Sequence, residues 1–290
     1  MAEETGIVRI DAPESGQDHY LVFATNGQVY TVSKEDKLLI DDLRYAMNFE
    51  LEVKLKLAQE LKPITDVLQV SDEIIGIDMT NDHTDEALDY NEGFTKTSMK
   101  LSFEGVDILR NAPVTDFKSE QELLNKFYSQ RKDLKSRSQC YNRAHVWVHE
   151  MRKKYYRGNK ITMGKIWIFY SKYFINRINY KWWFHIAPYS TLNGAEKVMD
   201  RTFLDRPLGP NQWVQSFFDN PIQCKNVQKY SAYRNNQRSA DCFLIRTSLY
   251  YWQPFQVKKA ETDGIERTDL PYGALKRAYR NAVSWFARVP

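Results

Sequence analysis

The 290-residue chain predicts an α+β protein in two parts, and three observations carry that expectation. Asn26-Gly27 and Asn193-Gly194 each lie between β-rich runs, and Asn-Gly is the strongest short signal for a hairpin turn. Two stretches, residues 37–47 and 144–155, repeat apolar residues at the spacing of one helical face. Charge is segregated: residues 1–108 hold 9 basic and 23 acidic side chains, a net −14, whereas residues 109–290 hold 32 and 14, a net +18.

In chain order, residues 20–25 and 28–33 read as strands joined at Asn26-Gly27, and these two strands open the fold. Leu39, Ile40, Leu43, Ala46 and Met47 give a helix over 37–47. Residues 51–57 alternate strictly, as a strand with one wet face should. Short strands at 67–70 and 74–77 complete a small module, residues 1–80. From Thr80 to Thr97 apolar residues thin out in favour of Asn, Asp, His, Thr and Glu, so residues 81–108 read as a protease-accessible linker between 1–80 and a second domain, 109–290. Leu123, Leu124, Phe127 and Tyr128 suggest a helix over 116–135. Strands follow at 165–170 and 180–187, and a second hairpin turns at Asn193-Gly194.

The chemistry centres on residues 138–151. Ala144, Trp147, Val148, Met151 and Tyr155 form one helical face, with Arg143, Glu150 and Lys153 on others. Ser138 can cap this helix, which puts Cys140 in its first turn. Unpaired backbone N–H groups and the positive end of the helix dipole there favour a thiolate, and the Cys140 N–H can face a developing oxyanion. A single helical cysteine is equally an ordinary core residue, and its partners decide between the two. Around the turn centre of 193–194 opposed residues have indices summing to 387, and 185 and 200 sum to 385, so His185 and Asp200 are expected to be neighbours across the hairpin. Cysteine, then histidine, then aspartate is the order of a thiol acyl-transfer triad: nucleophile, base and acid, orienter. A histidine among Trp183, Phe184 and Ile186 can also be plain core, and Asp200 a turn cap, so pattern alone leaves both readings open.

Composition bounds the rest. The chain is 42% hydrophobic and 14% aromatic, enough for a sizeable core and consistent with a cleft rich in flat side chains. No apolar run reaches membrane-spanning length. The opening Met1-Ala2-Glu3-Glu4 lacks the basic and apolar regions of a signal peptide, so the expected location is either the cytosol or an exported compartment whose signal has been replaced. The +18 half could bind nucleic acid, but the acidic half offers it a destination within the chain, and neither nucleic acid nor membrane is expected as a partner. His145 and His149 stand at i and i+4 without an evident third ligand, so no metal is expected. Cys224 and Cys242 are close enough to form a disulfide in an oxidising compartment.

The motifs Cys140-Tyr141-x-Arg143-Ala144-His145 and Trp182-x-Phe184-His185-x-Ala187, then Asp200, Thr202 and Trp213, resemble the protein glutaminases, secreted bacterial enzymes that deamidate glutamine side chains in proteins. Residues 27–33, 43–46 and 51–55 look like that family's inhibitory pro-region, and Pro113–Asp116 with 123–127 like the start of its mature enzyme. Arg201 stands where proline is expected of the family, and the cysteine-rich loops are thinner.

The resemblance implies a papain- and transglutaminase-like core, a nucleophile helix on an antiparallel sheet, preceded by an acidic α+β pro-domain. It implies a secreted or periplasmic zymogen acting without a cofactor, with Cys140, His185 and Asp200 as the triad and Trp182 and Tyr141 lining the substrate cleft. The expected partners are proteins or peptides with exposed glutamine, the chain's own 1–80 module and an activating protease. Transglutaminase or cysteine peptidase chemistry on the same scaffold is the nearest alternative, and a non-enzymatic binding module the alternative from another class.

Overall fold

The structure, a computed structural model, describes residues 2–61, 68–83, 116–117, 119–128, 134, 140–155, 163–263 and 272–283. The fold is mixed α+β, and the chain divides into two units, residues 1–92 with 180–183 and residues 93–179 with 184–290.

The first unit is a closed barrel. Its strands are β1 (Ala2–Asp11), β2 (His19–Ala24), β3 (Val29–Ser33), β4 (Leu51–Leu61) and β5 (Leu68–His83), arranged in the order β1-β2-β3-β5-β4. The Asn26-Gly27 turn is there, but as the three-residue loop Thr25-Asn26-Gly27, closed by the Ala24 N–H donating to the Gln28 carbonyl at 3.1 Å. Gly27 takes φ 94°, the left-handed position that such a loop gives to glycine. Helix α1 (Lys37–Asn48) is capped by Asp36, whose side chain accepts from the Leu39 N–H at 3.2 Å. It buries Leu39, Ile40, Leu43 and Ala46 against Ile7, Val22, Val32, Val53, Leu55 and Ile74. Four residues from far along the chain complete this unit. The Val29 N–H donates to the Lys181 carbonyl at 2.8 Å, the Trp183 N–H to the Gly27 carbonyl at 3.1 Å, and the Trp183 indole to the Ala24 carbonyl at 2.9 Å.

Two departures from the sequence reading share one cause. β1 was not expected, and β5 is one 16-residue strand where two short ones were. Pairing shifts register between Ile7 and Arg9 in β1, and at three places along β4 and β5. Each irregularity breaks the alternation that marks a strand; thus Ile7 and Val8, adjacent in sequence, are both buried. β5 also runs through Thr80–His83, where composition suggested a linker. The remaining linker residues, 84–108, lie outside the described part.

The second unit holds β6 (Asp116–Phe117), β7 (Gly164–Tyr170), β8 (Phe184–Leu192), β9 (Ala195–Val198), β10 (Cys224–Asn226) and β11 (Cys242–Thr247) in one sheet, ordered β10-β11-β7-β8-β6 with β9 on β8. The expected antiparallel sheet is mixed: β7 pairs antiparallel with β8 and β11, whereas β6 and β10 pair parallel at the edges. Every residue of β7 is buried, as befits a central strand. The helix expected over 116–135 is instead β6, a short α2 (Glu120–Leu123) and a π-helical turn, Leu124–Tyr128, with residues 129–133 undescribed. Helix α3 (Cys140–Tyr155) packs on β8 and on α8 (Tyr272–Val283). The remaining helices are α4 (Lys172–Ile178), α5 (Pro210–Gln215), α6 (Tyr230–Asn235) and α7 (Pro254–Asp263).

Candidate active site

Cys140 is the first residue of α3, and it is 8% exposed. Ser138, the expected cap, lies outside the described residues. The amphipathic reading of α3 holds for Ala144, Trp147, Val148 and Met151, all buried, but residues 140–148 are buried on every face. Arg143, on a different face from that apolar series, is therefore inside as well. Burial pushes its guanidinium below the usual arginine range, and the charges of Cys140 and Asp200 push back the other way.

The Asn193-Gly194 hairpin positions the other two candidates. Asn193 (φ 51°) and Gly194 (φ 77°) both take the positive φ of a two-residue turn, and the pairs Tyr189↔Val198 and Ser190↔Lys197 keep the index sum that the turn centre dictates. The β8–β9 ladder ends at Val198, and the Met199 N–H still donates to the Pro188 carbonyl at 2.9 Å. Continuing that register sets Asp200 against Ala187, one diagonal step from His185, within reach of a long side chain. His185 Nε2 and Asp200 Oδ2 are 2.6 Å apart.

The same carboxylate oxygen accepts from the Trp213 indole N–H at 3.0 Å. Trp213 reaches it because Val198 and Leu208 exchange backbone bonds of 2.7 and 3.1 Å, which folds the chain back just before α5. With Nε2 given to Asp200, Nδ1 is the ring nitrogen left for another partner, and Cys140 is near enough for its charge to act on the imidazole. Burial pulls the imidazole pKa down, but the charge of Asp200, then that of Cys140, outweighs it and holds His185 up at about 9. His185 and Asp200 thus form a buried, hydrogen-bonded pair, and Cys140 acts on the same imidazole.

Three aromatic rings surround the imidazole: Phe217 at 5.1 Å and Phe203 at 5.3 Å, both edge-on, and Trp213 at 5.8 Å. Sequence reasoning gave Phe203 and Phe217 no role. Their only signal was their distance in sequence from Asp200 and Trp213. Tyr141, expected to line the cleft, is 4% exposed, with its ring 6.3 Å from Phe184 and 6.4 Å from Trp252. Trp182, also expected there, is half-buried in the first unit, in an isolated bridge with Gln28. Cys224 and Cys242 are disulfide-bonded as direct register partners of β10 and β11.

His145 and His149 lie with ring centroids 4.8 Å apart. Nδ1 of His145 faces the buried Lys165 ammonium, which donates also to the Tyr251 carbonyl. A cation would have to compete with that ammonium for the lone pair. Among the described residues no group of three or more His, Cys, Asp or Glu side chains could hold a metal ion, and no helix is long and apolar enough to cross a membrane.

Residues 120–217 match the protein-family model described as Glutaminase. The matched segment runs from α2 to just past α5, so it contains Cys140, His185, Asp200 and Trp213, and it ends on Phe217. Among solved structures, the chain is similar to a crystal structure of pro- protein-glutaminase (15% identity, TM-score 0.46, covering 99% of this chain and 95% of that one). It is also similar to the A47Q2 mutant of pro- protein-glutaminase (17% identity, TM-score 0.45, covering 86% and 83%). No curated protein matches the chain.

Proposed function

We propose that the chain is a protein-glutamine deamidase with a papain- and transglutaminase-like catalytic core. Cys140 gives its proton to His185 and its sulfur attacks the side-chain carboxamide carbon of a glutamine. The Cys140 backbone N–H at the start of α3 faces the resulting oxyanion. When the tetrahedral intermediate collapses, the C–N bond breaks and His185 protonates the departing nitrogen, which leaves as ammonia. Water, deprotonated by the same imidazole, then attacks the γ-glutamyl thioester, giving glutamate and returning the thiol its proton. Asp200 orients His185 and balances the imidazolium, and Trp213 holds Asp200. The observation that carries the reading is the His185–Asp200 hydrogen bond, on an imidazole that also feels the charge of Cys140, inside the segment that matches the glutaminase model.

The test is to incubate a glutamine-containing protein with the full chain, before and after limited proteolysis, and to measure ammonia and peptide masses. Ammonia with an amide-to-acid mass change supports the reading. Amine incorporation or chain cleavage in its place would make the enzyme a transglutaminase or a peptidase.

Within this reading, residues 1–80 act as an inhibitory pro-domain, 81–108 carry the processing site, and the zymogen is an exported protein. The charge split and the backbone bonds holding 180–183 in the first unit, two residues before His185, support latency. Those bonds also mean that a nick in the linker does not by itself free the module. Activation of nicked protein should therefore require dilution and rise with salt. An intact chain as active as the isolated 109–290 fragment would remove the inhibitory role.

A further inference from the structure

Phe203 is 51% exposed, although it packs edge-on against an imidazole that is only 12% exposed. A large apolar ring gains nothing by standing in water. Its placement is not left to a loose loop. The Asp200 carbonyl accepts from the N–H groups of both Phe203 and Leu204, at 2.9 and 2.8 Å, so the turn that holds the orienting carboxylate also aims this ring at His185. Phe217 supports it from behind: its ring is 5.1 Å from Phe203, 5.1 Å from His185 and 5.8 Å from Trp213, each in edge-to-face geometry. The result is a braced aromatic ledge, dry on its inner side and open on its outer side, at the margin of the reacting group.

From this geometry we infer that Phe203, backed by Phe217, is a substrate subsite that takes an aliphatic or aromatic side chain next to the target glutamine. The inference rests on the deamidase reading and adds to it a determinant of substrate choice. A peptide that brings a glutamine carboxamide to Cys140 and His185 carries its neighbouring residues past whatever borders that histidine. A Leu or Phe there removes its own surface and the open face of Phe203 from water together; a Gly offers no such surface, and an Asp adds a desolvation cost. An apolar contact of this size discriminates by about tenfold, the range typical of a hydrophobic pocket.

The test uses the full chain, before and after limited proteolysis, with peptides that carry Leu, Phe, Gly or Asp on the N-terminal or C-terminal side of a single glutamine. The expected result is a kcat/KM preference of about tenfold for Leu or Phe over Gly on one of the two sides, carried mainly by KM. Phe203→Ser should collapse that ratio towards one, and Phe203→Leu should restore most of it, a rescue that a purely structural role would not produce. Ammonia release without side preference in the wild type, or a preference that survives in Phe203→Ser, overturns the subsite and leaves the deamidase reading standing. No ammonia from any peptide overturns both.

Discussion

Replacing Asp200 by Asn tests the electrostatics of the site with almost no change of shape. Trp213 donates to Asp200 Oδ2 at 3.0 Å, the oxygen that also meets His185 Nε2, so in the variant that indole keeps the amide oxygen at this position and the amide NH₂ replaces Oδ1. The imidazole then loses the negative charge that contributes most to raising its pKa while a neutral acceptor remains opposite Nε2. Burial, which opposes protonation, remains. The pKa should fall from about 9 to its ordinary 6.5 or below. At pH 8 the protonated fraction drops from about nine-tenths to about 3%, so protonation alone costs roughly 30-fold. Losing the orienting charge adds to this, up to the roughly 10⁴-fold loss seen when a serine triad's aspartate becomes asparagine. The assay is kcat/KM for ammonia release against pH. The wild type should lose activity as pH rises through about 9, where the imidazolium that protonates the leaving nitrogen disappears, and the variant should lose it below neutrality. A variant whose alkaline limb stays near 9 would refute the assignment of Asp200 as the charge that holds His185.

The same raised pKa is a stability statement. It contributes about 3 kcal/mol, fully present below pH 6.5 and lost as pH rises through about 9, so chemical denaturation of the wild type should weaken over that window while Asp200→Asn shows little change there. Trp213→Phe keeps the ring but removes one donor to a buried carboxylate; it should cost about 1.5–3 kcal/mol and slow ammonia release less than Asp200→Asn does, as denaturation and kinetics would show. A Cβ on Gly164 would lie 2.4 Å from the Tyr189 ring and 2.9 Å from the Thr247 carbonyl, so Gly164→Ala should destabilise by about 1–3 kcal/mol, read as a lowered denaturation midpoint. Intact mass under non-reducing conditions should count one free thiol, Cys140, with Cys224 and Cys242 bonded; reducing that bond opens a loop worth roughly 3 kcal/mol.

Much of this site was legible because hairpin register is arithmetic. Asn193-Gly194 fixes the turn, the turn fixes the pairing, and the pairing sets His185 near Asp200 before any packing is considered. The start of α3 was legible for a similar reason, since its apolar period begins just after Cys140. What could not be read was decided by surroundings. Arg143 has the composition of a surface residue, but lies inside because α3 is covered on every side at its start. Tyr141 and Phe203 are both aromatic neighbours of candidate residues; one is buried against Trp252 and the other half in water, and no local pattern distinguishes them. Trp182 and Trp183 alternate as strand residues should, yet both belong to the first unit's fold, because a segment of the second half pairs with the Thr25-Asn26-Gly27 hairpin. β1 escaped because its bulge breaks the alternation that would have revealed it.

The central claim is that Cys140 deamidates protein-bound glutamine through a thioester. The direct measurement is ammonia release, with peptide mapping of the product, from a glutamine-containing protein incubated with the proteolysed, diluted full chain and with the same preparation of Cys140→Ala. The account predicts ammonia and new glutamates at former glutamine positions with the wild type and neither with the variant. Equal ammonia from both would contradict it, because no other thiol is free among the described cysteines to carry the reaction.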